Sequence, residues 1–259
     1  MHGLQQAGKI ANDDLKQHLL PYGHAPTKHT PGLWRHTTSD LTFTLIVDDF
    51  GTKYTNIAQA KDLLHALQQK YNVTVDWTGA LHASVSLEWE YLKRTVKLSI
   101  TGYIKKVLIK HTHPTPNKAQ HAPRKPEPII YGPYQPANLP DNSKDLTTNE
   151  KLIFQSILGS LLHYRRMIDS TMLIAFNDLS ITQTNATATS QRHLNTLLDQ
   201  LFTNPNASIL CRKFDMIAKV NSDGSYLSVP GARSRAAGHF YLGNSTPIQK
   251  KEPYQGAIY

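Results

Sequence analysis

Cysteine is almost missing from this chain: Cys211 stands alone in 259 residues. That excludes an internal disulfide and any zinc site built from cysteines. No apolar run approaches the length of a membrane span, and the first twenty residues lack the apolar core of a secretory signal. An intracellular protein, in cytoplasm or nucleus and without a membrane partner, is the resulting expectation. Internal repeats and low-complexity tracts are absent as well. Acids are scarce, 19 against 28 lysines and arginines, and the net charge of +9 favours an anionic partner. The apolar share, 39%, is low for a globular chain, and 15 prolines forecast long irregular connections. The length still suffices for one or two domains with a sizeable core.

The positive charge is spread as doublets, Lys105/Lys106, Arg124/Lys125, Arg165/Arg166, Arg212/Lys213 and Lys250/Lys251. Such spacing fits a polymer tracked along an extended surface, and it equally fits solvated faces.

The clearest chemistry lies in residues 41–54, LTFTLIVDDFGTKY. Leu41, Phe43, Leu45 and Val47 alternate with Thr42, Thr44 and Ile46, the period of a strand with a buried face. Asp48 and Asp49 follow where the chain must turn. In a straight strand two adjacent acids point to opposite faces. At a tight hairpin tip both can project from the same end of the sheet, and Asp tolerates the left-handed backbone such turns use. Paired carboxylates in that position suit Mg²⁺, which takes hard oxygen ligands.

Around this hairpin the pattern predicts an α+β layer with an antiparallel sheet. A helix is expected within 3–20, stopped by Pro21. Strands are expected at 33–37, 41–47 and 50–54. A second helix should start near Asn56, with Ile57, Ala60, Leu64, Leu67 and Tyr71 on one face. Extended segments follow at 73–75, 81–89 and 94–98. A short basic helix at 101–110 then turns Tyr103, Val107 and Leu108 inward and Lys105, Lys106 and Lys110 outward. Between His111 and Asn149 eight prolines exclude continuous helix or central strand, leaving a linker or an extended strap. His111, His113 and His121 lie in it and read as surface or packing histidines. Thr147 and Glu150 have the spacing of a capping box and open a helix carrying Leu152, Ile153, Ile157, Leu161 and Leu162. Helices near 171–180 and 190–202 follow. Short strands are expected at 209–213, 216–223 and 238–243, with Gly231, Arg233 and Arg235 in a polar turn.

Five stretches, taken in order, resemble the reverse transcriptase region of copia-type retrotransposon polyproteins. Met1 to Gly8 (MHGLQQAG) is similar to a segment at the head of a palm helix, where a glycine, here Gly3, lets backbone approach the nucleic acid. Leu45–Asp49 (LIVDD) resembles the polymerase Y-V-D-D box, with Ile46 in place of the tyrosine. Gly79–Trp89 (GALHASVSLEW) looks like the hairpin that grips a primer terminus, with Leu81-His82-Ala83 where Leu-Gly-Ile is usual. Trp89 and Tyr91 are read first as packing against the sheet, with stacking on a sugar or base as the alternative. Leu98–Lys110 resembles the first thumb helix. Val220–Tyr226, with residues 232–238 and 240–243, resembles the opening of a ribonuclease H domain.

The resemblance implies a function: RNA-directed DNA synthesis on a template–primer with deoxynucleotides and Mg²⁺. Asp48 and Asp49 would be the catalytic, metal-binding acids. Asp223 would be the first metal ligand of the ribonuclease H part, and Gly3, Lys105, Lys106 and Lys110 would contact nucleic acid. It also implies segments: 1–100 a partial palm, 101–113 the thumb start, 114–148 a linker, 149–208 a helical connection and 209–259 a short β segment of ribonuclease H type. The family's palm uses a third aspartate upstream of the glycine helix, and the chain begins at that helix. Asp13 and Asp14 match no motif, and after Asp223 only Glu252 remains as an acid. A fragment with negligible activity of its own is therefore expected. The alternative is a non-catalytic nucleic-acid-binding or assembly protein of retroelement origin. A third reading is a genomic remnant that folds poorly.

Overall fold

A computed structural model describes residues 6–125, 141–229 and 233–245. It is a mixed α+β structure with antiparallel sheets and, among the described residues, six α-helices. Two compact units divide the chain, Met1–Leu87 and Glu88–Tyr259. None of the described helices is long and apolar enough to cross a membrane.

The first unit opens with α1 (Ala7–Leu19). Pro21 leads it into one 3-10 turn, and Gly23, at φ 82°, reverses the chain into the sheet. Strands β1 (His24–Pro26), β2 (Leu33–His36), β3 (Thr42–Ile46) and β4 (Asp49–Lys53) pair antiparallel in that order. Helix α2 (Ile57–Gln68) follows, its first turn capped by the Asn56 side chain, which accepts from the Ala58 amide. The apolar stripes of α1 and α2 meet one face of the sheet. Leu15, Leu19, Trp34, Leu41, Phe43, Leu63, Ala66 and Leu67 form the core. Trp34 and Phe43 face each other across β2 and β3 with their rings stacked 5.4 Å apart. The buried face of α2 is Ala60, Leu63, Ala66 and Leu67, while Ile57, expected inward, is exposed. Residue 57 is the first of the helix, at the very end of the apolar stripe.

Residues 81–89 do not form one strand. Ala83 and Ser84, both at positive φ (48° and 67°), fold them into a two-residue hairpin between β5 (Leu81–His82) and β6 (Val85–Glu90). This is the type I′ geometry that matches strand twist. Residues 73–75 are irregular.

In the second unit β7 (Thr95–Ser99) pairs with β8 (Ser208–Arg212), more than a hundred residues later. The end of the expected palm and the start of the expected ribonuclease H segment thus share one sheet. Between them lie α3 (Tyr103–Lys110), α4 (Thr148–Met167), α5 (Leu173–Thr182) and α6 (Ala188–Thr203). The Thr147–Glu150 capping box is present in full. The buried stripe of α4 is Phe154, Ile157, Leu158, Leu161 and Tyr164, with Leu152 and Ile153 exposed.

Residues 111–125 form a strap, tied to α6 and α5. His113 bonds Asp199, the Gln120 amide donates to Thr203 Oγ1, and Arg124 pairs with Asp178. The remaining prolines of that stretch, from Pro126 to Pro140, lie outside the described residues.

The C-terminal strands are longer than expected. β9 (Ile217–Val229) and β10 (Arg233–Gly243) form one extended antiparallel hairpin. Arg235, expected in a turn, is inside β10 opposite Ser225, and Gly231 is outside the described residues.

Candidate functional site

The β3–β4 hairpin is closed by two residues, Val47 and Asp48, with Ile46 paired to Asp49. Alternation holds through the buried Phe43 and half-buried Leu45, then ends: Val47 is 93% exposed. The left-handed residue of the loop is Val47, at φ 58°, and neither acid has positive φ. This corrects the expectation that an Asp takes that backbone. A single positive φ at the first loop position is the type II′ pattern. Asp48 completes the loop and Asp49 opens β4, and both are exposed at the tip.

Behind the tip the hairpin is braced by a neighbour. His82 of β5 sets its ring against Gly51, and its Nε2 lies 3.3 Å from the Thr44 hydroxyl. A Cβ on Gly51 would meet Thr44 Oγ1 at 2.7 Å and the His82 ring at 3.0 Å, so only glycine fits there without movement. The expected grip hairpin thus packs beside the strand that carries Asp49.

The side chains of Asp48 and Asp49 make no hydrogen bond or ion pair with any described residue. Two exposed carboxylates supply hard oxygen donors of the kind Mg²⁺ takes. Among the described residues no group of three His, Cys, Asp or Glu side chains is gathered to hold a metal ion. Asp14, on α1, is engaged elsewhere: it accepts from Lys70 and from the Tyr71 hydroxyl (2.9 Å), and the Lys70 bond holds its carboxyl below the usual range.

In the second unit Lys105, Lys106 and Lys110 are exposed on α3, while Ile104, Val107 and Leu108 are buried. Tyr103 is half-buried, its ring stacked on Tyr164 at 5.7 Å and its hydroxyl on the Ser160 carbonyl. The short apolar stripe therefore fixes the lysines outward, as their spacing predicts. Asp223 is exposed within β9, opposite Ala237, and its Oδ1 accepts from the Gly224 amide at 2.8 Å. It belongs to no acidic cluster among the described residues. Gly3 and Glu252 lie outside the described residues. His113 is a packing histidine, its side chain 5% exposed, and His121 is a surface one.

Trp89 and Tyr91 stack on each other, ring centroids 6.0 Å apart and planes 10° from parallel. The basic residues that accompany them, Arg94 and the Arg212/Lys213 doublet, were visible as charge but not as neighbours. Nothing local in the sequence announces the β7–β8 pairing that brings them together.

Compared with protein-family models, curated proteins and solved structures, the chain matches none of them.

Proposed function

We propose that the chain is part of an RNA-directed DNA polymerase of the copia-type retrotransposon class, without polymerase activity by itself. The observation that carries this reading is the pair Asp48–Asp49, exposed and unpartnered at the tip of an antiparallel hairpin. The core beneath, Trp34 on Phe43 and the leucines of α1 and α2, makes a firm base for that tip. In the intact enzyme Mg²⁺ would be held there, where two ions about 4 Å apart activate a primer hydroxyl and stabilise the leaving oxygens. The lysines of α3 suit the sugar–phosphate backbone of a template–primer, a contact that reads no sequence and weakens with salt. In the same reading Asp223 is the first acid of a ribonuclease H site.

Two carboxylates leave the charge of two divalent ions undercompensated, and no third joins them among the described residues. Primer extension with Mg²⁺ and deoxynucleotides tests this. No incorporation is expected from the chain alone, and incorporation that disappears in Asp48→Asn would overturn the inactivity while confirming the acids' role.

The second reading is a nucleic-acid-binding protein that no longer polymerises, favoured by the outward lysines of α3. Lys105, Lys106 and Lys110 changed together to Gln should weaken duplex binding and flatten its salt dependence while the unfolding transition is unchanged. Equal binding would remove this reading.

A further inference from the structure

The second unit carries a groove that neither the acids nor the α3 lysines account for. It encloses about 420 Å³, within the size range of ligand sites, and lies where the β6–β7 turn meets the end of β8. Trp89, Tyr91, Val96, Phe214 and Leu242 give it apolar walls, and Arg94, Arg212 and Lys213 add three cations.

The backbone sets these groups in place. Trp89 is near the end of β6 and Tyr91 opens the turn that follows, and their stacked rings form one aromatic surface. Trp89 is 45% and Tyr91 78% exposed, unusually open for large aromatic residues. Arg94 takes a positive φ of 52° to close the turn into β7, and its carbonyl accepts from the Lys213 amide at 3.0 Å. That bond holds the turn against the Arg212–Lys213 segment. Arg94, Arg212 and Lys213 are exposed. The one acid lining the groove, Glu90, is paired with Lys93 at 2.6 Å, so the cations outweigh it.

Stacked aromatic faces beside several cations match one kind of occupant: flat π-systems joined by regularly spaced anions. We infer that this groove binds single-stranded nucleic acid, bases on the Trp89–Tyr91 pair and phosphates on Arg94, Arg212 and Lys213. A duplex keeps its base faces stacked inside and offers the rings nothing. The inference does not rest on the polymerase reading, since it uses none of Asp48, Asp49 or the α3 lysines.

The test is binding of a labelled oligothymidylate to the whole chain by fluorescence anisotropy, with an abasic oligomer of equal length and a hairpin duplex as comparisons. Base stacking on aromatics predicts that Trp89→Ala with Tyr91→Ala raises Kd by about tenfold or more, and that the abasic oligomer binds as weakly. Trp89→Phe keeps a π-face and should retain most of the affinity. Arg94→Gln with Arg212→Gln should reduce the slope of log K against log salt. Cys211, which lines the groove and is the chain's single cysteine, supplies a reporter that needs no substitution. Saturating oligothymidylate should slow its alkylation by a maleimide.

Unchanged affinity in the aromatic variants with a normal unfolding transition would overturn the inference, as would tighter binding of the duplex. Unchanged Cys211 alkylation would do so even if the alanine variants fail to fold. Protection of Cys211 that rises with protein concentration in the absence of oligonucleotide would assign the groove to a second copy. None of these readouts needs Mg²⁺ or deoxynucleotides, so their outcome and that of primer extension are separate results.

Discussion

His82 Nε2 lies 3.3 Å from Thr44 Oγ1, and this contact joins the hairpin bearing the two aspartates to the hairpin that follows α2. Thr44 is also opposite Gly51 in the β3–β4 register, so the three residues share one small volume. Gly51→Ala would force the new methyl against both neighbours. Overpacking of this kind costs about 1–3 kcal/mol. The unfolding free energy from urea titration should fall by that amount, and adding His82→Ala should recover part of it by opening space. Full stability in Gly51→Ala alone would mean that the brace is not tight.

Val47 carries the strain of the tip. A β-branched residue at φ 58° sits where the type II′ loop favours glycine. Relief of that conformation is worth about 1–2 kcal/mol, offset in part by the greater freedom of glycine in the unfolded chain. Val47→Gly should therefore raise the unfolding free energy from urea titration by a net amount on the order of 1 kcal/mol. Asp48→Asn and Asp49→Asn, at exposed positions without partners, should change stability by less than about 0.5 kcal/mol. The contrast separates what the tip needs for folding from what it offers to a ligand.

The tip was legible because strict alternation over 41–47 ends in two adjacent acids, a pattern that only a turn reconciles with one buried face. Which residue bends was not legible, since Val has no turn preference and Asp does. The same reason hid the β5–β6 hairpin: Ala83 and Ser84 adopt left-handed backbone without the Asn-Gly or Asp-Gly signature. Gly224 and Ser225 misled in the other direction. Their composition is that of a turn, which ended the expected strand at Asp223, yet cross-strand pairing with Ala236 and Arg235 keeps them extended. Helix starts were read well at Asn56 and Thr147, because a cap is local chemistry. The Trp89–Arg212 groove was out of reach for the opposite cause: it depends on a pairing across more than a hundred residues.

His113 and Asp199 fix the start of the strap to α6. The two side chains meet at 2.8 Å, with His113 5% exposed and Asp199 34% exposed. A hydrogen bond to a charged group contributes about 1.5–3 kcal/mol. A double-mutant cycle of His113→Ala and Asp199→Ala, followed by urea unfolding, should return a coupling of about that size. Limited proteolysis within residues 114–125 should speed up in either single variant. Additive losses would mean that the strap is held by its other contacts, Gln120 to Thr203 and Arg124 to Asp178.

His24 gives the first unit an acid sensitivity whose sign is fixed by its surroundings. Its ring is buried at 4% exposure between His36 (4.9 Å) and Phe43 (5.8 Å), and its Nδ1 has no hydrogen-bond partner. Burial, reinforced by the neighbouring His36, pushes its pKa from 6.5 down to about 4. The unfolded chain thus binds a proton there below about pH 6.5 that the folded protein refuses until about pH 4, so stability falls as pH drops through this window. At 1.36 kcal/mol per unit the loss approaches about 3 kcal/mol at the acid end. Urea midpoints measured from pH 8 to pH 4 should show the decline in the native sequence. His24→Phe, which cannot take up the proton, should flatten the curve relative to it across that range. Parallel curves for the two proteins would show that His24 is protonated in the folded state, and that the ring is not sealed from water as its burial implies.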